Sequence, residues 1–191
     1  MEGAELLCLI GKVMRGATGL WTIQPSQADY FQTVIGGGHG DYRLITLAPS
    51  SVQEMADFVV LGFDLAFKYA NPVMMLADGM IGQLMEKVVL PPFRNRMTEE
   101  EIIEESPWAA QGKPANRQPN IITSLELDPV IMEEKNNRFQ EKYRTIEENE
   151  VRYEEYMCDD ADYLLIAFGS SARICQKAIE IARMQNLKLG L

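Results

Sequence analysis

An arginine near the start of the chain is well placed by its neighbours to bind an anion. Arg15 comes two residues after an apolar run, Leu6–Val13, that is typical of a buried strand, and it precedes Gly16. In open α/β sheets, ligands bind in the crevice outside the carboxyl ends of the strands. A guanidinium there can hold a carboxylate through two parallel hydrogen bonds. From position alone, a surface arginine at a strand end is an equally good interpretation.

A glycine-rich run, Gly36–Gly40, is the second segment whose residue types suit a ligand, because glycines let backbone amides approach a phosphate. The run matches neither GxxxxGK(S/T) nor a GxGxxG between a strand and a helix. A flexible turn is therefore favoured over a small nucleotide-binding module. His39 is the only histidine. With no second His or Cys at ligand spacing, it is interpreted as a hydrogen-bonded loop residue rather than a base or metal ligand.

The three cysteines, Cys8, Cys158 and Cys175, form no CxxC pair. An iron–sulfur cluster usually takes four thiolates, so none is expected on this chain. Each cysteine has apolar or helical neighbours and is expected to be a small buried hydrophobe. We therefore predict no metal ligands here.

The charge of the chain is concentrated in one segment. The formal net charge is −10, and between Glu126 and Asp162 thirteen acids face five bases, which leaves −8 there. This balance disfavours nucleic acid or an anionic membrane as a partner. A solvated helix face is favoured over an acidic docking surface. No apolar run approaches the length of a membrane span and no basic leader opens the chain, so a cytoplasmic protein is expected.

The elements that would position Arg15 form a βαβ pattern. Strands are predicted over Leu6–Val13, Leu44–Ala48 and Val73–Ala77, with mostly loop over Met14–Asp41. A helix with most of its circumference covered is predicted from Ser51 to Tyr69. Its capping box would use Glu54, which is expected to reach back to the nitrogen of the cap residue. Strand, helix and strand at this spacing predict a parallel, right-handed unit.

The second half of the chain has a different character. Proline-rich sequence over Lys87–Leu125 predicts a linker arm, and Asp128 with Pro129 predicts the start of a charged helix that runs to Glu150. A second α/β pattern follows. Its predicted members are a buried strand Tyr163–Phe168, a turn Gly169–Ser171, a helix Ala172–Met184 and a strand Leu187–Leu191; the helix would bury Ile174, Ala178, Ile181 and Ala182 on one face.

Several ordered segments carry a resemblance to a known family. They are Val13–Gly16, Ile23–Phe31, Gly36–Arg43, Leu47–Asp57, Asn71–Val73, Leu76–Gly79 and Ile146–Glu150. Together they resemble the alpha subunit of 2-oxoacid:ferredoxin oxidoreductases, in the branch that acts on 2-oxoisovalerate and 2-oxoglutarate. The resemblance covers nearly the whole chain.

The resemblance implies an α/β fold in three parts. Residues 1–87 would be the C-terminal half of a pyrimidine-side thiamine diphosphate-binding domain with a parallel sheet. Residues 88–160 would be a linker arm and long acidic helix. Residues 161–191 would begin a second, transketolase C-terminal-like α/β domain. A domain that stops there cannot close its core, so the chain is expected to be an internal piece of a subunit.

The resemblance also implies an activity and its partners. These enzymes decarboxylate a 2-oxoacid oxidatively on thiamine diphosphate, release an acyl-CoA and pass electrons to ferredoxin. The thiamine diphosphate would be shared with a partner subunit. Magnesium and the iron–sulfur clusters would lie on the beta, gamma and possibly delta subunits. Arg15 matches the family's arginine that recognises the substrate carboxylate, with Gly16 beside it.

No catalytic residue is assigned to this chain. The family's glutamate that activates the thiamine pyrimidine would precede the first residue, so the chain alone is expected to be inactive. Two other hypotheses for the function stay open. The chain could be a non-catalytic scaffold whose acidic helix docks a partner, or a nucleotide-binding module that uses Gly36–Gly40.

Overall fold

The computed structural model describes most of the chain from residue 9 onward. The described residues are 9–13, 28–36, 38, 42–95, 97–105, 107, 118, 121 and 125–191. Among them, no helix is both long and apolar enough to cross a membrane.

Three parallel strands form the first sheet. They are β1 (Leu9–Val13), β2 (Ile45–Leu47) and β3 (Val73–Ala77), in the order β1-β3-β2. β1 pairs with β3 from Leu9 opposite Val73 to Val13 opposite Ala77, and β2 pairs with β3 through Ile45 and Leu47. The predicted parallel βαβ pattern is confirmed.

A short helix interrupts the segment between β1 and β2, which was expected to be mostly loop. This helix, α1, spans Tyr30–Val34, and Thr33 is its buried residue. The side chain of Thr33 donates to the carbonyl of Asp29 at 3.0 Å. Five residues without a capping side chain leave little pattern in the sequence, so the helix was missed.

Helix α2 spans Val52–Tyr69 and follows a serine cap, as predicted. The hydroxyl of Ser51 accepts from the amide of Glu54 at 3.1 Å. The return bond differs from the prediction, because the Glu54 carboxylate accepts from the amide and hydroxyl of Ser50, one residue before the cap. The helix ends at Ala70 in the left-handed conformation, before Pro72.

The core of the first sheet lies between the strands and one face of α2. Ile45, Leu47 and Val73 pack with Leu65 and Ala66 of the helix. The prediction that most of α2 is covered was wrong, since Val59, Phe63 and Phe67 are exposed. An apolar composition around a helix does not say which side another element covers.

An extended arm follows β3 and a 3-10 helix, Ile81–Gln83. The side chain of Gln53 exchanges two hydrogen bonds with the backbone of Val89, at 2.8 and 2.9 Å. Arg94 forms a two-bond ion pair with Asp64, at 2.6 and 2.9 Å. The two contact points on the arm, Val89 and Arg94, are five residues apart, and their partners on α2, Gln53 and Asp64, are eleven apart. Five extended residues and eleven helical residues both span about 16 Å, so the arm lies alongside α2.

A helix inside the predicted linker was also missed. Helix α3 spans Glu99–Glu105. The amide of Thr98 donates to the Glu101 carboxylate at 2.8 Å, and the Glu101 amide donates to the Thr98 hydroxyl at 3.3 Å. This is a reciprocal capping box, and Thr98 followed three residues later by Glu101 was its signal in the sequence.

Helix α4 spans Pro129–Glu150, with Asp128 as its cap, as predicted. It has no fully buried residue, which fits the expected solvated face. Ile146 packs on the core of the first sheet. At its end, the Glu150 carboxylate accepts from Lys68 at 2.6 Å and from the Tyr69 hydroxyl at 2.7 Å, which joins α4 to the end of α2.

The second parallel sheet has two short strands, β4 (Tyr163–Leu164) and β5 (Leu189–Gly190), joined by α5 (Gly169–Met184). The predicted buried strand Tyr163–Phe168 was wrong, because pairing covers two residues and Ile166 is fully exposed. The predicted turn Gly169–Ser171 is the first turn of α5.

The buried face of α5 also differs from the prediction. Ile179 is fully buried, whereas Ile174 and Ile181 are about half exposed. The apolar positions at 174, 178, 181 and 182 keep a helical period. A period identifies a helix, but it cannot decide between two overlapping faces when both carry isoleucine.

Candidate functional site at the carboxyl edge of the first sheet

The carboxyl ends of the three parallel strands meet at one edge of the first sheet. Val13 and Ala77 are the last paired residues of β1 and β3. Arg15 follows Val13 by two residues, and both Arg15 and Gly16 lie outside the described residues. Their assignment as a carboxylate-binding pair therefore stays a prediction.

The turn after β2 is closed by a carboxylate of its own chain. The Glu54 carboxylate accepts from the amide of Ser50 at 2.6 Å and from its hydroxyl at 2.9 Å. Pro49 is fully buried in the same turn. These contacts use the polar groups of the turn internally, so its shape is fixed without a ligand.

An ion pair ties this turn to α5. Arg173 donates to the Glu86 carboxylate and, at 3.4 Å, to the carbonyl of Ser50. The Glu86 carboxylate also accepts from the amide of Val52 at 3.2 Å, at the first residue of α2. The hydrogen bond from Arg173, together with that amide, lowers the pKa of Glu86. The Glu86 carboxylate thus caps the start of α2 and holds α5 through Arg173.

The turn after β3 contains a buried aspartate. Asp78 is 1% exposed. One oxygen of its carboxylate accepts from the amide of Ile81 at 2.9 Å, and the other accepts from the amide of Ser170 at 3.1 Å. Asp78 therefore caps the 3-10 helix beside it and the first turn of α5, which lies 92 residues further along the chain.

A glycine lets α5 approach this edge. Gly169 has φ of +59°, a conformation that L side chains rarely adopt. A Cβ there would lie 3.5 Å from the Asp78 carboxylate and 3.7 Å from the carbonyl of Pro49. The start of α5 thus touches the turns after both β2 and β3, and it closes the crevice between these two strands.

A cavity of about 640 Å³ is lined in part by Ala48 and Ser50 of the turn after β2. Apolar side chains dominate its wall, and its polar groups include Glu54, Arg152, Glu154, Glu155 and Gln176. Among the described residues, its lining includes none from the turn after β3. Its apolar lining comes from Phe58, Leu164, Leu165, Ile166, Phe168 and Leu191.

The other candidate residues of the sequence do not gather at this edge. Gly37, His39 and Gly40 lie outside the described residues, while Gly38 is exposed near the Tyr42 ring. The hypothesis that Gly36–Gly40 binds a nucleotide stays a prediction. Cys158 and Cys175 are half-buried free thiols. No group of three His, Cys, Asp or Glu side chains that could hold a metal occurs in the part of the chain that the structure describes.

Sequence reasoning missed the roles of Asp78, Glu86 and Arg173. Asp78 belongs to the segment Leu76–Gly79, in which only the resemblance was noted. A short carboxylate directly after a strand and three residues before a helix is a recognisable cap signal. The contacts with Ser170 and Arg173 cross 92 and 87 residues, and no local pattern reports them.

A family model described as pyruvate flavodoxin/ferredoxin oxidoreductase, thiamine diphosphate-binding, matches residues 1–157. A ketoisovalerate oxidoreductase subunit VorB of Methanothermobacter marburgensis is 47% identical over the whole chain, which covers 53% of that protein. A 2-oxoglutarate synthase subunit KorA of Methanocaldococcus jannaschii is 30% identical over 97% of the chain and 55% of its own length. The chain thus spans about half the length of these relatives.

One solved structure has the same fold. It is a 2-oxoglutarate:ferredoxin oxidoreductase from Magnetococcus marinus, with 2-oxoglutarate, coenzyme A and succinyl-CoA bound. The superposition has a TM-score of 0.73 at 25% sequence identity and covers 98% of this chain and 36% of that one.

Proposed function

Because the chain belongs to the thiamine diphosphate-binding family of pyruvate flavodoxin/ferredoxin oxidoreductases, we propose that it forms part of a 2-oxoacid:ferredoxin oxidoreductase alpha subunit. The observation that carries the proposal is the family match over residues 1–157, on a chain with a parallel sheet. The reaction is the oxidative decarboxylation of a 2-oxoacid to an acyl-CoA, with ferredoxin as electron acceptor.

A branched-chain 2-oxoacid or 2-oxoglutarate is the proposed substrate. The 47% identity to a ketoisovalerate oxidoreductase subunit favours the branched-chain acid, and the relatives named 2-oxoglutarate synthase support the dicarboxylate. Arg15, next to Gly16, binds the carboxylate that both substrates share. Two parallel hydrogen bonds from the guanidinium fix its orientation.

Thiamine diphosphate is the proposed cofactor, shared with a partner subunit. When bound, it would supply the electron sink that loss of carbon dioxide from a 2-oxoacid requires. Three backbone amides near this edge donate hydrogen bonds to carboxylates of this chain, so they are not available to bind a diphosphate. They are the amides of Ser50, Ile81 and Ser170. This pattern fits a chain that contacts the pyrimidine ring of the cofactor, while the diphosphate and its magnesium bind to the partner subunit. The iron–sulfur clusters belong to partner subunits as well.

This chain contributes position rather than proton transfer. Arg15 holds the substrate carboxylate at the carboxyl end of β1, which converts a bimolecular encounter into a fixed geometry. Beta, gamma and possibly delta subunits would complete the enzyme, with coenzyme A and ferredoxin reaching it through that complex. The proposed complex is cytoplasmic. The proposed division is a thiamine-binding part over residues 1–87, an arm and acidic helix over 88–160, and a second α/β unit over 161–191.

Replacing Arg15 tests this proposal in the complete enzyme. In Arg15→Ala, the KM for the 2-oxoacid should rise by about 10- to 100-fold, since hydrogen bonds to a charged group are lost. The KM for coenzyme A should stay unchanged. The matched control is Arg43→Ala, an exposed arginine that donates to the carbonyl of Tyr42. Steady-state kinetics decide, and an unchanged KM for the 2-oxoacid in Arg15→Ala rejects the assignment.

A further inference from the structure

Asp78 is the fully buried carboxylate at the carboxyl edge, and it joins two parts of the chain that are distant in sequence. It directly follows Ala77, the last residue of β3. Its two oxygens accept one amide each, from Ile81 on its own side and from Ser170 on α5. A single side chain therefore fixes the start of the 3-10 helix and the start of α5 relative to β3.

The two hydrogen bonds to Asp78 come from the starts of two helices. The first amides of a helix have no partners within the helix. Asp78 accepts from one such amide of each helix, so both of its buried oxygens have a hydrogen-bond donor. The close approach of α5 depends on Gly169, whose Cα faces the Asp78 carboxylate and the Pro49 carbonyl.

The consequence for the edge follows from the strand order. β3 is the central strand, and α5 covers the crevice between β3 and β2. The carboxyl end of β1 lies on the opposite side of β3, with Val13 paired to Ala77 immediately before Asp78. The turn that Asp78 holds is thus the neighbour of the end of β1.

We propose that Asp78 is a positioning residue: by holding the start of α5, it fixes the turn after β3 beside the carboxyl end of β1. Through this tie, the turn after β3 and the first turn of α5 keep one arrangement next to the substrate. The effect on substrate rests on the proposed function, whereas the tie itself does not. Asp78 touches no substrate in this role, so it shifts affinity rather than the chemical step.

The variants are Asp78→Asn, which keeps one acceptor oxygen and replaces the other with a donor, and Ser170→Pro, which removes the donated amide. Proline is tolerated in the first turn of a helix. Asp64→Asn is the control, because it breaks a carboxylate tie to Arg94 away from this edge. All three are made in the assembled enzyme, and amide hydrogen exchange and steady-state kinetics are measured.

In Asp78→Asn, we expect the amide of Ser170 to exchange about tenfold faster, the factor that one lost hydrogen bond of ordinary strength gives. The KM for the 2-oxoacid should rise several-fold while kcat stays within about twofold, as for lost uniform binding. Ser170→Pro should raise KM similarly, and the double variant should add little, because both remove the same bond. Asp64→Asn should leave KM and the exchange of Ser170 unchanged.

Two results overturn the proposal. Unchanged exchange at Ser170 in Asp78→Asn shows that the tie does not hold α5. If the amide of Ser170 exchanges faster in Asp78→Asn, but the KM for the 2-oxoacid is unchanged in both Asp78→Asn and Ser170→Pro, Asp78 is only a local helix cap. A wild-type complex without 2-oxoacid oxidation rejects the proposed function instead, and the exchange measurement still decides whether the tie exists.

Discussion

At the scale of single residues, Glu150 brings together three side chains through its carboxylate. Its side chain is 5% exposed. The carboxylate accepts from Lys68 at 2.6 Å, from the Tyr69 hydroxyl at 2.7 Å and from Arg152 at 2.8 Å. The hydrogen bond from Lys68 is the main cause that lowers the pKa of Glu150, followed by the bond from Tyr69. Glu150 thereby fixes the ends of α2 and α4 to one another.

Replacing Glu150 by Gln should reduce the free energy of unfolding by about 1.5 to 3 kcal/mol, the typical value of hydrogen bonds to a charged group. Because the folded pKa lies below the ordinary glutamate value of 4.5, the stabilisation is fully present above that pH. It is lost as the pH falls through the lower folded pKa. Chemical denaturation between pH 7 and pH 3 measures the difference.

The exposed neighbour Glu148 provides the control for this measurement. Glu148→Gln should follow the wild type at each pH, because Glu148 is solvated on α4. A difference between wild type and Glu150→Gln that is as large at pH 3 as at pH 7 would contradict the role assigned to the charge.

At the scale of elements, the start of α5 decides how the two sheets are joined. Phe168 precedes this helix and supplies no capping side chain. The amide of Ser170 donates instead to the carboxylate of Asp78, which lies 92 residues earlier in the chain. The helix is therefore capped in tertiary structure, and its first residue, Gly169, must take a left-handed conformation to meet Asp78.

Gly169→Ala should lower the free energy of unfolding by about 1 to 2 kcal/mol, the cost of the left-handed conformation for an L residue. The new Cβ would make ordinary contacts, at 3.5 and 3.7 Å, so backbone strain is the main cause. Gly82→Ala is the control, since a Cβ there meets nothing within 4 Å and φ is not positive. Equal stability of the two variants in thermal unfolding would show that α5 begins elsewhere.

At the scale of the whole molecule, the most exposed of the described large apolar side chains lie in two regions. Met85 and Phe93 of the arm are 99% and 97% exposed, and Ile166 beside β4 is 100% exposed. Parallel sheets are normally covered on both faces, and exposed apolar patches commonly mark contact surfaces. Both regions fit the proposed place of the chain within a larger assembly.

The isolated chain should therefore bind a hydrophobic dye and associate in solution, despite a net charge of −10. Phe93→Ser and Ile166→Ser should each reduce dye fluorescence measurably, while the exposed polar change Gln185→Ser should leave it unchanged. Fluorescence titration and sedimentation velocity measure these effects. Dye binding that is the same in all four proteins would show that neither region is an accessible apolar surface.

Elements with local signals were predictable from the sequence. Val73–Ala77 and Pro129–Glu150 were placed at their observed bounds, because a buried apolar run and an Asp-Pro cap act within a few residues. Helix α2 likewise begins after Ser51, as its cap predicts. The family was also accessible, since its motifs are ordered short segments. Arg15 was singled out in the same way, and its role stays a prediction.

Burial and long-range capping depend on how distant parts of the chain pack together, and local patterns did not predict them. The sequence predicted a covered α2 and a buried strand after Tyr163, yet Phe67 and Ile166 are exposed, because burial depends on which element arrives from elsewhere in the chain. The same reason hid Asp78. A carboxylate after a strand suggests a cap within the next turn, as for Ile81, but its second partner, Ser170, becomes a neighbour only when the two sheets meet.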